Sequence, residues 1–179
     1  MNILITGIQG SGKGTQSKKI MDAFGIQHIS FGDTLKQCFK SDPNLVLPYS
    51  EEKYNRGELA PDQVLFNVAN KFLPELEKTG GFILDGFPRT DGQMKFVLEN
   101  YDIDLCLKLV ISKKTAIERM IARKRSDDSI EGIERRLDQY FNITEPVFKA
   151  VKYMTVEICA SLPENDVFDI ISKELIKHV

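Results

Sequence analysis

Short apolar runs alternate with longer amphipathic stretches along the 179-residue chain. The apolar runs fall at Asn2–Thr6, Gln27–Ile29, Phe82–Asp85, Leu105–Ile111 and Thr155–Ile158, and each has the length of a strand. Between them apolar residues recur at helical spacing. Val64, Leu65, Val68, Ala69 and Phe72 form one stripe, in a helix that starts at Pro61 and that Pro74 kinks or ends. Ile117, Met120 and Ile121 form another within Lys114–Lys124. Ile133, Leu137, Tyr140 and Phe141 form a third, in a long helix that Pro146 bends, and Glu164–Lys177 is the last helix. Such alternation predicts a parallel sheet covered by helices on both faces. Residues 41–60 break the pattern. They are polar, contain Pro43, Pro48 and Gly57, and predict a small excursion with one short helix near Ser50–Arg56. No repeat or linker divides the chain, so a single domain is expected.

The first strand runs into a glycine-dense loop, Gly7-Ile-Gln-Gly-Ser-Gly-Lys-Gly-Thr15, and then a helix over Thr15–Phe24, closed by Gly25. Glycines let backbone N–H groups approach an anion closely, and the following helix presents the positive end of its dipole. Strand, loop, lysine and helix together read as a phosphate-binding loop, with Lys13 placed to reach the outer phosphates of a nucleoside triphosphate. The fold class expected is therefore α/β, a P-loop three-layer αβα domain with a five-stranded parallel sheet. One detail departs from the general motif: Gly14 separates Lys13 from the hydroxyl residue Thr15.

Composition adds constraints rather than chemistry. The net charge of −2 gives no bulk attraction to nucleic acid or to a membrane, and no apolar run approaches spanning length. Cys38, Cys106 and Cys159 are scattered, without zinc-ligand spacing, and read as free thiols of a reducing compartment. A core strand that begins at residue 2 leaves no signal peptide in view, so a cytoplasmic location is expected. His28 borders a strand and reads as a packing or polar-rim residue.

In an open parallel sheet, ligands lie beyond the carboxyl ends of the strands. Lys13 follows the first strand, Asp33 and Lys36 the second, Asp85 and Arg89 the third. Arg119, Arg123, Arg125 and Arg136 flank a polar break after the fourth, Ser126-Asp-Asp-Ser129. Taken singly, Arg119 and Arg123 fit a solvated helix face better than a site. Asp85 fits a turn as well as a site, and one of Asp127 and Asp128 fits an N-cap. Their joint placement beside the phosphate loop is what favours phosphoryl transfer, whose transition state needs positive charge and positioning. Arginine forks bind phosphate oxygens in pairs, acidic groups hold Mg²⁺ through water, and an acceptor that is already a phosphate needs no general base.

These segments resemble the adenylate kinase and nucleoside monophosphate kinase family over nearly the whole chain. The resemblance is carried by Gly7–Gln16, Ile29–Lys36, Gly57-Glu-Leu-Ala-Pro-Asp62, Gly81–Thr90 with its Asp-Gly-Phe-Pro-Arg core, Asp127-Asp128 and Arg135-Arg-Leu-x-x-Tyr140. Gly-Lys-Gly-Thr is the family's own form of the loop, which accounts for the displaced hydroxyl. The resemblance implies transfer of the ATP γ-phosphoryl group to AMP, reversibly, giving two ADP, with Mg²⁺. It implies a core (1–29, 61–123 and 127–179), a monophosphate-binding flap at about 30–60 and a vestigial lid at about 123–127. By motif position, Gly10, Ser11, Gly12, Lys13, Gly14 and Thr15 would hold the ATP phosphates. Arg119 would pack on the ATP base and Arg123 contact its phosphates. Arg89 would hold the monophosphate, with Arg125 and Arg136 bridging the two nucleotides. Thr15, Asp33 and Asp85 would hold Mg²⁺ through water. Phe31, Lys36, Glu58, Leu59, Ala60, Gly86, Phe87, Pro88 and Gln93 would line the monophosphate site, with Gln93 reading adenine and Phe87-Pro88 cis.

Three departures from the family pattern stand out. Lys36 replaces an arginine, so a point charge stands where a fork is usual. Phe31 replaces a threonine beside the acceptor base, where it stacks on a base or blocks one. Only Lys124 lies between Arg123 and Arg125, leaving no room for a lid domain. A UMP/CMP-type or broad-specificity monophosphate kinase is the alternative within the class, and an impaired nucleotide-binding module the alternative outside it. A regulatory GTPase lacks support, since no Asn-Lys-x-Asp stretch occurs.

Overall fold

The computed structural model describes residues 1–123 and 130–178. Among them, five strands make one sheet: β1 (Ile3–Thr6), β2 (Gln27–Ser30), β3 (Phe82–Asp85), β4 (Leu105–Val110) and β5 (Thr155–Cys159). The order is β2-β3-β1-β4-β5 and the pairings are all parallel. Every predicted strand forms, within a residue or two of its expected ends. The strands read as unbroken apolar runs because both faces are covered. Leu4 and Leu84 point into a cluster with Leu35, Val64, Val68 and Val97, while Ile3, Ile5, Ile83 and Leu107 point into one with Ile20, Val167 and Ile171. These two clusters are the interior of a three-layer αβα domain.

The helices on the first face are α2 (Phe31–Ser41), α5 (Asp62–Lys78) and α6 (Asp91–Asn100), and those on the second are α1 (Lys13–Phe24) and the C-terminal helix (Glu164–Ile176). The excursion over 41–60 holds two short helices rather than one, α3 (Pro43–Val46) and α4 (Glu51–Asn55), since Pro43 suits a first helical turn and Ser50 caps α4 by accepting from the Lys53 N–H. Val46 and Tyr49 enter the same buried cluster as α2 and α5, so the excursion is packed on the domain. Pro74 sits inside α5 without ending it, and the carbonyl that loses its partner belongs to exposed Asn70.

Beyond β4, α7 (Lys113–Arg123) and α8 (Ile130–Gln139) bury Ala116, Met120, Ile133 and Leu137 against Ile8 of the glycine loop. The expected stripes fail at Ile121, which is 60% exposed, and then at Phe141, which is 41% exposed. Tyr140–Thr144 is a π-helical turn, whose extra residue rotates the buried face, so Thr144, Val147 and Phe148 face inward instead. The break at 126–129, the residues Lys124 and Arg125, and most of the expected lid lie outside the described residues.

Candidate functional site

The parallel register sets the site. Ile5 pairs with Asp85 and Ser30 pairs with Asp85 across adjacent strands, so the glycine loop, the start of α2 and the end of β3 converge at the carboxyl ends of the strands. They open onto a crevice of about 920 Å³. A narrower cavity, of about 60 Å³, lies beside it under the excursion.

The loop curls around the N-terminus of α1. Gly10 has φ 87°, and a Cβ there would stand 2.6 Å from the Ala116 carbonyl oxygen, so glycine alone lets the loop lie this close to α7. Lys13 folds back over the loop and its ammonium donates to the Gly7 carbonyl at 2.8 Å and the Ile8 carbonyl at 3.3 Å. That posture holds a flexible cation at the loop's mouth, where an anion competes with neutral carbonyls for it. Gly10, Ser11, Gly12, Lys13, Gly14 and Thr15 all line the crevice.

Asp85 sits opposite, its Oδ2 3.9 Å from where a Gly14 side chain would begin. Burial pushes its carboxyl up, but the His28 imidazole and the charges of Lys13 and Arg89 outweigh burial and hold it below the usual carboxylate range. The His28 Nε2 lies 3.7 Å from Oδ2, too long for a hydrogen bond, so its effect is electrostatic. Asp33 lines the crevice from α2, where Ser30 caps the helix by accepting from the Asp33 N–H at 3.3 Å. Among the described residues no three His, Cys, Asp or Glu side chains gather to hold a metal, so any cation here relies on few protein oxygens.

Arg89 is fixed by its neighbours. Its Nε donates to the Gly86 carbonyl at 2.8 Å and its backbone N–H donates to Gln93 Oε1 at 2.7 Å. Gln93 Nε2 in turn donates to Asp62 at 2.7 Å, and Thr90 both caps α6 and donates to Asp62 at 3.0 Å. One N–H and one lone pair of the Gln93 amide are thereby committed, leaving capacity for one more of each. The Phe87–Pro88 peptide is cis, as the resemblance implied, and so is Leu47–Pro48, which was not expected.

The residues singled out in the sequence largely meet. Arg119, Arg123 and Arg136 join the loop, Asp33, Asp85, Gly86, Phe87, Pro88 and Arg89 around the crevice. Phe31, Glu58, Leu59, Ala60 and Gln93 surround the narrower cavity. Phe31 is 1% exposed and stacked on Phe87 with ring centroids 4.4 Å apart, so its face is already occupied. Lys36 lines neither space; its ammonium lies over the Tyr54 ring, 5.3 Å from the centroid. Arg125 falls outside the described residues. Sequence reasoning missed His28 as a neighbour of Asp85, and missed Gln9 and Tyr54, which line both spaces. Strand register brings in His28 and the fold of the excursion brings in Tyr54, while Gln9 lies within the glycine loop at a position where the motif asks for no particular residue.

The chain is similar to known proteins over most of its length. The adenylate kinase family profile matches residues 5–156. An adenylate kinase of Porphyromonas gingivalis is 38% identical, covering 82% of this chain and 80% of that protein. One of Methanosarcina barkeri is 34% identical, covering 82% of this chain and 84% of its own. One of Methanosarcina mazei is 32% identical and covers 99% of each chain, over a 214-residue alignment. Set against 179 residues here, that alignment contains at least 35 positions with no counterpart in this chain (214 − 179).

Proposed function

The chain belongs to the adenylate kinase family, and from that premise we propose that it is an ATP:AMP phosphotransferase whose donor lies in the crevice and whose acceptor lies in the adjoining cavity. The observation that carries this reading is the pair of arginines shared by the two spaces. Arg89 and Arg136 line both, so phosphates entering from either side meet at the same two guanidinium groups. The attacking oxygen belongs to the acceptor's phosphate, which is already ionised. It forms the new P–O bond as the β–γ bridging bond breaks and ADP leaves. Lys13, Arg89, Arg123, Arg125 and Arg136 are assigned to the transferring group and its neighbours, where their charge offsets that of the equatorial oxygens. Ser11, Gly12 and Gly14 present backbone to the donor phosphates, and Arg119 packs on the donor base.

Asp85, Asp33 and Thr15 suit a magnesium ion held through water, because Asp85 stays ionised in spite of burial and the phosphates supply the remaining oxygens. When bound, the ion neutralises charge on the donor phosphates. Glu58, Leu59, Ala60 and Gln93 are assigned to the acceptor base. In this reading residues 30–60 act as a flap on a core of 1–29, 61–123 and 127–179, and 123–127 are a vestigial lid. A cytoplasmic location belongs to the same reading, and the free cysteines support it.

Mixing the protein with ATP, Mg²⁺ and AMP and following ADP tests the proposal. Lys13→Met is expected to lower kcat by about 10²–10³, the range for losing one preorganised charge donor. No ADP above the enzyme-free control with the unaltered protein would sink the reading.

A further inference from the structure

Six described residues line both the crevice and the adjoining cavity: Gln9, Gly32, Tyr54, Gly86, Arg89 and Arg136. They mark where the two spaces meet. Gly32 and Gly86 bring backbone only, and the two arginines are already assigned. Tyr54 comes from α4, far from the glycine loop in sequence, and carries a hydroxyl to this junction.

The location of that hydroxyl is well defined. A Cβ on Gly32 would stand 3.3 Å from the Tyr54 oxygen, so the phenol lies against the first turn of α2. Gly86 faces the same point: a Cβ there would be 3.2 Å from an Arg89 terminal nitrogen and 3.9 Å from the Gly32 N. The phenol oxygen, the Arg89 fork and the positive end of α2 therefore surround one small volume. The ring is held from two sides, by Phe39 at a centroid distance of 6.0 Å and by the Lys36 ammonium at 5.3 Å. A cation over the ring face also draws electron density from the phenol, which makes its O–H a better donor.

We propose that the Tyr54 hydroxyl is a ligand of the acceptor's phosphate, donating to a phosphate oxygen that Arg89 holds from the other side. Lys36 then acts from behind the ring, which explains why it reaches neither space itself. The inference rests on the phosphotransferase reading, since it takes the junction to be the place where acceptor phosphate binds. A neutral O–H bonded to an ionised phosphate is among the stronger hydrogen bonds, and its loss is felt in acceptor affinity rather than in the donor's.

Tyr54→Phe removes this one oxygen and keeps the ring, the Phe39 contact and the Lys36 contact. The expected result is an AMP dissociation constant, read by calorimetry, about tenfold weaker than that of the unaltered protein. The ATP dissociation constant and the thermal midpoint are expected to stay unchanged. A KM for AMP raised by the same factor, with KM for ATP unmoved, is expected in the ADP-forming assay. AMP affinity within twofold of the unaltered protein overturns the proposal, and so does a loss falling on ATP instead. If the unaltered protein binds no AMP and forms no ADP, the phosphotransferase reading itself falls. Binding by the unaltered protein with an indifferent Tyr54→Phe sinks only the role of the hydroxyl.

Discussion

Lys13 spends its charge on two carbonyls of its own loop, and Arg89 spends one N–H on the Gly86 carbonyl. Both line the crevice beside the ionised Asp85 carboxyl, and their hydrogen bonds to neutral carbonyls can be exchanged for bonds to phosphate oxygens. The cysteines show the opposite extreme. Burial pushes the Cys106 thiol up to about 11 and also raises Cys38, whereas Cys159 is exposed at the end of β5. Since only the thiolate reacts, a disulfide reagent at neutral pH is expected to label one thiol quickly, and Cys159→Ser to abolish that phase. The other two are expected to react only as the protein unfolds. Fast labelling of two thiols in the folded protein would contradict this assignment. At this scale the glycine loop was legible because its chemistry is local and spacing fixes what it can do, while Asp85 and Arg89 were legible only through their place after a strand and the family resemblance. Tyr54 and Gln9 were not, because a tyrosine in a polar excursion and a glutamine inside a glycine loop carry no signal until their surroundings are known.

The elements were legible wherever a face is buried, since burial imposes period on the sequence. Strand ends came within a residue or two, but α8 did not continue its stripe through Phe141, because one π-helical turn changes the phase of every later residue. The start of α6 shows an element serving the site. Thr90 accepts from the Gln93 N–H at 3.2 Å and donates to Asp62, and Gln93 then holds the Arg89 backbone. Thr90→Val keeps shape and loses both bonds, so a destabilisation of about 1–2 kcal/mol is expected in urea unfolding. Thr90→Ser is expected to recover most of it, and equal losses in the two variants would refute the capping account.

At the scale of the whole molecule, the excursion is tied across the cavity's rim to α8. Arg135 donates to the Arg56 carbonyl at 3.0 Å, and Arg56 pairs with Glu58 at 2.8 Å. A Cβ on Gly57 would lie 3.2 Å from the Gly132 carbonyl oxygen, so backbone meets backbone there. The Arg135 bond and the Arg56–Glu58 pair are exposed and therefore weak, of a strength that can part and re-form during turnover, whereas Gly57 and Gly132 meet in buried contact. Arg135→Ala is expected to speed AMP release by about two- to fivefold in stopped-flow measurements and to leave ATP release unchanged. An unaltered AMP release rate would show that the tie does not restrain the flap.

Sequence alone determined the strand–helix alternation, the parallel sheet, the phosphate loop and the family resemblance, because each depends on residue type at short spacing. Tertiary structure decided which of the distant residues meet. The order β2-β3-β1-β4-β5 sets Asp85 between the glycine loop and α2, and no local pattern encodes strand order. Packing of the excursion placed Tyr54 at the junction and Lys36 behind its ring. Packing of α2 on the segment after β3 set Phe31 against Phe87. Contacts between residues far apart in the chain depend on how every intervening element packs, and that information is spread over the whole sequence rather than written at either residue.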